Sequence, residues 1–116
     1  MTPLGNALTR LGRRAEAEQH YLRNLELQRQ RPGRNGKLLT ALALQTLSTH
    51  ALGDQDYQKA ERYAREALAL TQRVDPQGSW TAQAMSTLGA VLAERGDLGP
   101  AHDLHEKALA IHERAA

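Results

Sequence analysis

One segment of this chain occurs three times. Aligned on a central alanine, the copies read AEQHYLRNLEL from Ala17, AERYAREALAL from Ala60 and AHDLHEKALAI from Ala101, with spacings of 43 and 41 residues. A second, unlike segment recurs in step with the last two: TALALQTL from Thr40 and TAQAMSTL from Thr81, 41 residues apart and identical at five of eight positions. Two different segments that repeat together at one period define a repeat architecture, in which each supersecondary unit buries its apolar face on the next.

The residues inside each unit choose helix. Hydrophobicity is carried by Leu and Ala, there is no Phe, and the aromatics are Tyr21, Tyr57, Tyr63 and Trp80. Leu, Ala, Gln, Arg and Glu are strong helix formers, and β-branched residues are scarce. In the third unit Trp80, Ala84, Met85, Leu88 and Leu92 recur at three- and four-residue steps, a single apolar stripe. Ser79 precedes it as a candidate N-cap. Gly96 is placed to end the helix in the left-handed conformation, and Pro100 falls in the first turn of a second helix that runs through Ile111. The second unit repeats this as Lys37–Leu52 and Tyr57 to about Arg73, with Asp75-Pro76-Gln77-Gly78 as a breaker. The first is expected to be a short helix over Thr2–Leu11, a turn at Gly12, and a helix over Arg14–Gln30. Aligned on Leu4, Leu47 and Leu88, its first helix starts about two turns late. Repeat boundaries at 1–36, 37–78 and 79–116 follow, as one domain of what is expected to be a longer protein.

Composition removes several function classes. Without cysteine, disulfides and thiolate metal sites are excluded. Neither a membrane-length apolar run nor a signal-peptide pattern is present, so a cytoplasmic location and no membrane partner are expected. The formal charge of +2 is small. Its distribution is uneven, since residues 1–40 carry eight Arg/Lys against three Glu. These basic residues lie at mixed helical phases, which fits solvated faces better than a nucleic-acid surface.

With these residues in place the chain resembles the tetratricopeptide repeat proteins over essentially its whole length. The family pattern sets Leu-Gly and a further apolar residue in the first helix, Gly at the turn, then Ala, an aromatic and small-Leu in the second. The third unit supplies Leu88-Gly89, Leu92, Gly96, Ala101, His105 and Ala108-Leu109; the first supplies Leu4-Gly5, Leu8, Gly12, Ala17, Tyr21 and Asn24-Leu25. The second supplies Leu47-Ser48, Ala51, Tyr57, Ala60, Ala64 and Ala67-Leu68. The resemblance implies an all-α solenoid of three antiparallel helix pairs wound as a right-handed superhelix. The common unit has ~34 residues, and the longer unit here is similar to those of kinesin light chains and of helical arrays in bacterial regulators. Both are recognition arrays within larger proteins.

In such stacks the first helix of each pair lines a concave surface. Opposite the apolar stripe, the third unit holds Gln83, Ser86, Thr87, Ala90 and Glu94; the second holds Leu42, Gln45, Thr46, Thr49 and Leu52; the first holds Asn6, Thr9 and Arg10. This is a polar, nearly uncharged groove suited to a peptide or a partner helix. Family members that grip a terminal carboxylate use Lys, Asn and Arg there. Only Asn6 matches, and Gln83 and Thr87 stand where a Lys and an Arg would be, so no carboxylate clamp is expected.

Other chemistry lacks its parts. His102, His105 and His112 can share one helix face, but a further ligand at zinc spacing is missing, and His105 holds the position of the family's core aromatic. His105-Glu106 and His112-Glu113 open a zinc-protease motif whose second His falls on Leu109 and Ala116. Gly78-Ser79 is followed by Trp80-Thr81 rather than a nucleophile elbow, and Gly36-Lys37 by Leu38 rather than Ser or Thr. Trp80 aligns with Leu39, a packing position. No catalytic residue, metal or cofactor is expected. The chain reads as a non-catalytic scaffold presenting a groove to a protein or peptide. The alternative is self-assembly, in which uncapped terminal helices stack end to end to form a homo-oligomer.

Overall fold

The computed structural model describes the backbone of residues 3–115 and the side chains of residues 12–114. Among them the chain forms five helices and no strand: α1 (Pro3–Arg29), α2 (Gly33–Gly53), α3 (Tyr57–Val74), α4 (Ser79–Glu94) and α5 (Leu98–Ala115). Helices α2 and α3 pack as one hairpin and α4 and α5 as the next; α1 lies on α2, α3 on α4, and α2 also touches α4. This is a helical solenoid. Stacking in one direction gives a radius of gyration of 15.7 Å, against about 13 Å for a compact domain of this length.

The repeat register is visible in the core. Ala60 and Ala101 are buried at the hairpin crossings, where a larger side chain would part the helices. Leu88, Val91 and Leu92 of α4 pack with Ala51, Ala60, Ala64 and Ala101. Leu44, Leu47 and Ala67 pack with Leu25 of α1, and Ala82 and Met85 with Ala108 and Ile111 of α5. Trp80 and its aligned Leu39 are both half-buried.

The two hairpin turns share one geometry. After α4 the N–H of Asp97 bonds the Leu92 carbonyl at 2.8 Å and that of Gly96 the Ala93 carbonyl at 3.0 Å. These bonds close the helix end, with Gly96 at φ +93° as expected. After α2 the same pair runs from Asp56 to Ala51 and from Gln55 to Leu52, each at 3.0 Å. Here Gln55, at φ +61°, holds the left-handed position. Gly53, two residues earlier, is helical.

Three local expectations change. Helix α1 runs through Gly12, where a turn and a separate helix were expected, so five helices stand in place of six. Glycine permits a turn but does not impose one. Leu, Arg, Ala and Glu on both sides favour helix by more than the roughly 1 kcal/mol that one glycine costs. Helix α2 starts one turn before Lys37, because Gly33 takes φ +79°. A side chain at Gly36 would overlap the Arg31 carbonyl, so glycine here sets the α1–α2 approach. Helix α4 is capped by Gly78 rather than Ser79, with the Asp75 carboxylate folded over the position a β-carbon of Gly78 would take.

Ion pairs tie successive units together. Glu18 pairs with Lys59, and Glu61, the residue aligned with Glu18, pairs with Arg95 and Arg65. The Glu18 carboxylate raises the Lys59 pKa by hydrogen bonding, and the Arg65 guanidinium lowers that of Glu61 in the same way. Arg14, Arg29 and Arg34 of the basic N-terminal third meet Asp54, Glu66 and Asp75, so part of the charge asymmetry is used inside the fold.

Candidate functional site

Because α2 and α4 are the first helices of their hairpins, their outward phases lie side by side. Two depressions run between them. One, of about 490 Å³, is lined by Leu42, Gln45, Thr46, Thr49, His50 and Gly53 of α2, Gln83 and Thr87 of α4, and Arg14 and Tyr21 of α1. The other, of about 330 Å³, is lined by Ser48, Thr49 and Leu52 of α2 and by Gln83, Ser86, Thr87, Ala90 and Val91 of α4. Thr49, Gln83 and Thr87 belong to both, which makes them one groove.

Nine of the residues read from sequence are brought together here: Leu42, Gln45, Thr46, Thr49, Leu52, Gln83, Ser86, Thr87 and Ala90. Glu94, at the exposed end of α4, is not in the lining. The side chains of Asn6, Thr9 and Arg10 lie outside the described residues. Gln45 is not an outward residue; it is 5% exposed and forms part of the floor.

Six lining residues were not anticipated, of which Ser48 and Val91 are buried residues that meet the groove from the core side. His50 and Gly53 continue the same α2 phase by one turn, a signal hidden when Gly53 is taken as part of the turn. Arg14 and Tyr21 come from a helix read as the outer member of its pair, and no local pattern assigns them here. Arg14 Nε donates to Asp54 Oδ1 at 2.5 Å and Nη2 to the His50 carbonyl at 2.9 Å. The guanidinium thus meets a carbonyl and a carboxylate at the α2 C-terminus, where the helix dipole favours a cation. A β-carbon on Gly53 would stand 2.9 Å from Arg14 Nη2, so the glycine makes room for it. The His50 ring meets Tyr21 edge to face, with centroids 5.4 Å apart, and its Nε2 is 3.7 Å from Asp54 Oδ2. Among the described residues Arg14 is the one in the lining with a permanent charge, and Asp54 balances it.

The histidines of α5 are spread out. His102 pairs with Glu106 at 3.0 Å, His112 is exposed, and His105 is exposed rather than in the core. The His105 ring lies over Gly89, where a β-carbon would come within 2.8 Å of Nε2. Among the described residues no three potential ligands converge on one point. None of the described helices is long and apolar enough to cross a membrane.

Stacked hairpins and a groove along their first helices define a helical-repeat protein. The tetratricopeptide repeat family matches residues 1–73 and, one unit along, residues 40–114. The chain belongs to that family, whose repeats generally mediate protein–protein interaction. Among curated proteins, none matches the sequence.

Proposed function

We propose that this chain is a non-catalytic module that holds a segment of a partner protein in the α2–α4 groove. The observation that carries the reading is the continuity of the groove. Small or hydrogen-bonding side chains, with Leu42 and Leu52 among them, line it along two helices fixed by the core. A groove preformed in this way binds at little ordering cost. Thr49 and Ala90 are exposed in it, so Thr49→Arg and Ala90→Arg are expected to block capture of a peptide ligand while leaving helicity and melting temperature unchanged. Capture that survives both changes rejects the groove.

A second reading, self-association through the ends, is favoured by the repeat register. In α3 the residues Ala64 and Leu68 pack against α4, and Ala64 and Thr71 are fully buried. The residues 41 positions on, His105, Leu109 and His112, are exposed, Leu109 at 57%. Leu27 of α1, 61% exposed, similarly matches Leu70, which packs in the core. Molar mass by light scattering across a dilution series tests this reading. A species that dissociates on dilution, and that Leu109→Glu abolishes, supports it; a monomer at every concentration rejects it.

A further inference from the structure

The outer face of α5 carries a stripe that the fold does not use. Leu98, His102, His105, Leu109 and His112 follow one another at steps of four, three, four and three residues, the spacing of a coiled-coil seam. All five are exposed, Leu98 at 67% and Leu109 at 57%. The matching stripe on α3 holds Ala64 and Leu68, which pack against α4 as it runs back along α3 after a short turn. Another first helix could not approach α5 as closely, because His105 stands where α3 has a fully buried alanine.

The stripe is instead complementary to a second copy of itself. Let two α5 helices lie antiparallel about a twofold axis that passes midway between Asp103 and Leu104. Leu98 of each then lies against Leu109 of the other, and His102 against His105. The two leucines left bare on one copy are covered by the same two on its partner. A parallel pair would set Glu106 beside Glu106 and align the two helix dipoles.

Within one copy, His102 Nε2 stands 3.0 Å from Glu106 Oε1, one turn along the helix. Two ligands bound to one tetrahedral zinc at about 2.0–2.1 Å are about 3.3 Å apart, so this pair already has nearly that separation. One copy does not supply a third ligand, since no three potential ligands converge among the described residues. The antiparallel pairing adds one: the partner's His105 falls in the same layer as His102, and its ring rests on Gly89, where no side chain holds it. Two histidines and a glutamate are a donor set that zinc takes, with a fourth position left for water. Resting on the self-association reading above, we infer that two copies pair α5 on α5 about a twofold axis, and that a zinc ion is held between His102 and Glu106 of one copy and the partner's His105. The symmetry makes two such sites, and neither is complete in one chain.

The test is molar mass by light scattering on the whole chain, in one dilution series with EDTA and another with equimolar zinc. In EDTA the mass is expected to fall on dilution to the monomer's 12.8 kDa, and in zinc to stay near the dimer's, with one zinc bound per chain. His102→Ala, Glu106→Gln and His105→Ala change exposed residues. Each is expected to lower zinc affinity by more than about tenfold, the least that loss of even an outer-shell partner costs. Mixing His102→Ala with His105→Ala is expected to restore one zinc site per dimer, because His102 and Glu106 then come from one copy and His105 from the other. A site within one chain gives no such rescue. Zinc that binds without changing the mass, a mixture that binds no better than either variant, or a dimer equally stable in EDTA and in zinc overturns the inference. In the last case the self-association reading stands if Leu109→Glu abolishes the dimer. A monomer at every concentration in both series overturns that reading and this inference with it.

Discussion

The Ser48 hydroxyl donates to the main-chain carbonyl of Ala60 at 2.7 Å, and both residues are fully buried where α2 crosses α3. The closest approach of the two helices is thus also a hydrogen bond. Ser48→Ala keeps the approach and removes the bond, so it should cost about 1 kcal/mol. Ser48→Leu adds volume where there is none to spare and should cost 1–3 kcal/mol or more. Urea midpoints of the two variants check both. Equal losses would show that the hydroxyl, not the volume, matters at this crossing.

The two hairpin turns differ in the residue that takes the left-handed conformation, and their stabilities should differ accordingly. Gln55 holds φ +61° and Gly96 φ +93°. A residue with a β-carbon loses about 1 kcal/mol or more in this region, and glycine does not. Gln55→Gly should therefore stabilise the chain by about 1 kcal/mol, and Gly96→Ala should destabilise it by a similar amount. Thermal melts of the pair should move in opposite directions. A Gln55→Gly variant that melts below wild type would mean that the Gln55 side chain contributes contacts worth more than the strain.

Much of the fold was legible because the repeat imposes it three times. A stripe such as Trp80–Leu92 can fold only one way when its neighbours carry the same stripe, and helices α2 to α5 follow that reading to within a few residues. Gly12 misled because a motif glycine marks where a turn is permitted, while the helix formers around it decide whether one forms. His105 misled in another way. The family position is defined by alignment, but burial depends on what packs over it, and Gly89 provides only a shallow seat for the ring. The groove was legible wherever one helix supplied it, as in Gln83, Thr87 and Ala90. Arg14 and Tyr21 were not, because they reach the groove from a different helix and no spacing in the sequence encodes that meeting. Gln45 was named, but its depth came only from the packing of α2 on α4.

The ion pairs between units give the fold a defined response to pH. Arg65 and Arg95 hold Glu61 below the ordinary glutamate range of ~4.3. Between the folded and ordinary values the unfolded chain binds more protons, so the stabilisation is complete above the ordinary value. It is lost as pH falls through the folded one. Lys59, raised by Glu18, has the opposite sign: its contribution is complete below the ordinary lysine value of ~10.4 and is lost as pH rises through the folded one. Both pairs are partly solvated, so each is worth less than about 1 kcal/mol. Urea midpoints against pH should show Glu61→Gln removing part of the acid-side slope and leaving the alkaline side unchanged. Glu18→Gln should flatten the alkaline side. A Glu61→Gln profile parallel to wild type from pH 7 down to acid unfolding would show that Glu61 is not part of the acid response.

Gly12 decides how the N-terminal unit is built. It lies inside α1, its φ is not in the left-handed region, and among the described residues nothing stands within 4 Å of where a β-carbon would go. In a helix interior with open space, glycine to alanine is favourable by about 0.5–1 kcal/mol. In a turn that ends one helix and starts another, glycine is the preferred residue and alanine is penalised. One substitution therefore separates a continuous α1 from a folded-back first hairpin. Gly12→Ala should raise the melting temperature by a few degrees and increase helicity by circular dichroism. The effect should be additive with Gln55→Gly, because the two act on separate parts of the main chain. A fall in melting temperature would instead mean that residues 1–11 turn back at Gly12 in solution. They would then cover Leu27, which is exposed here, as α2 covers the aligned Leu70.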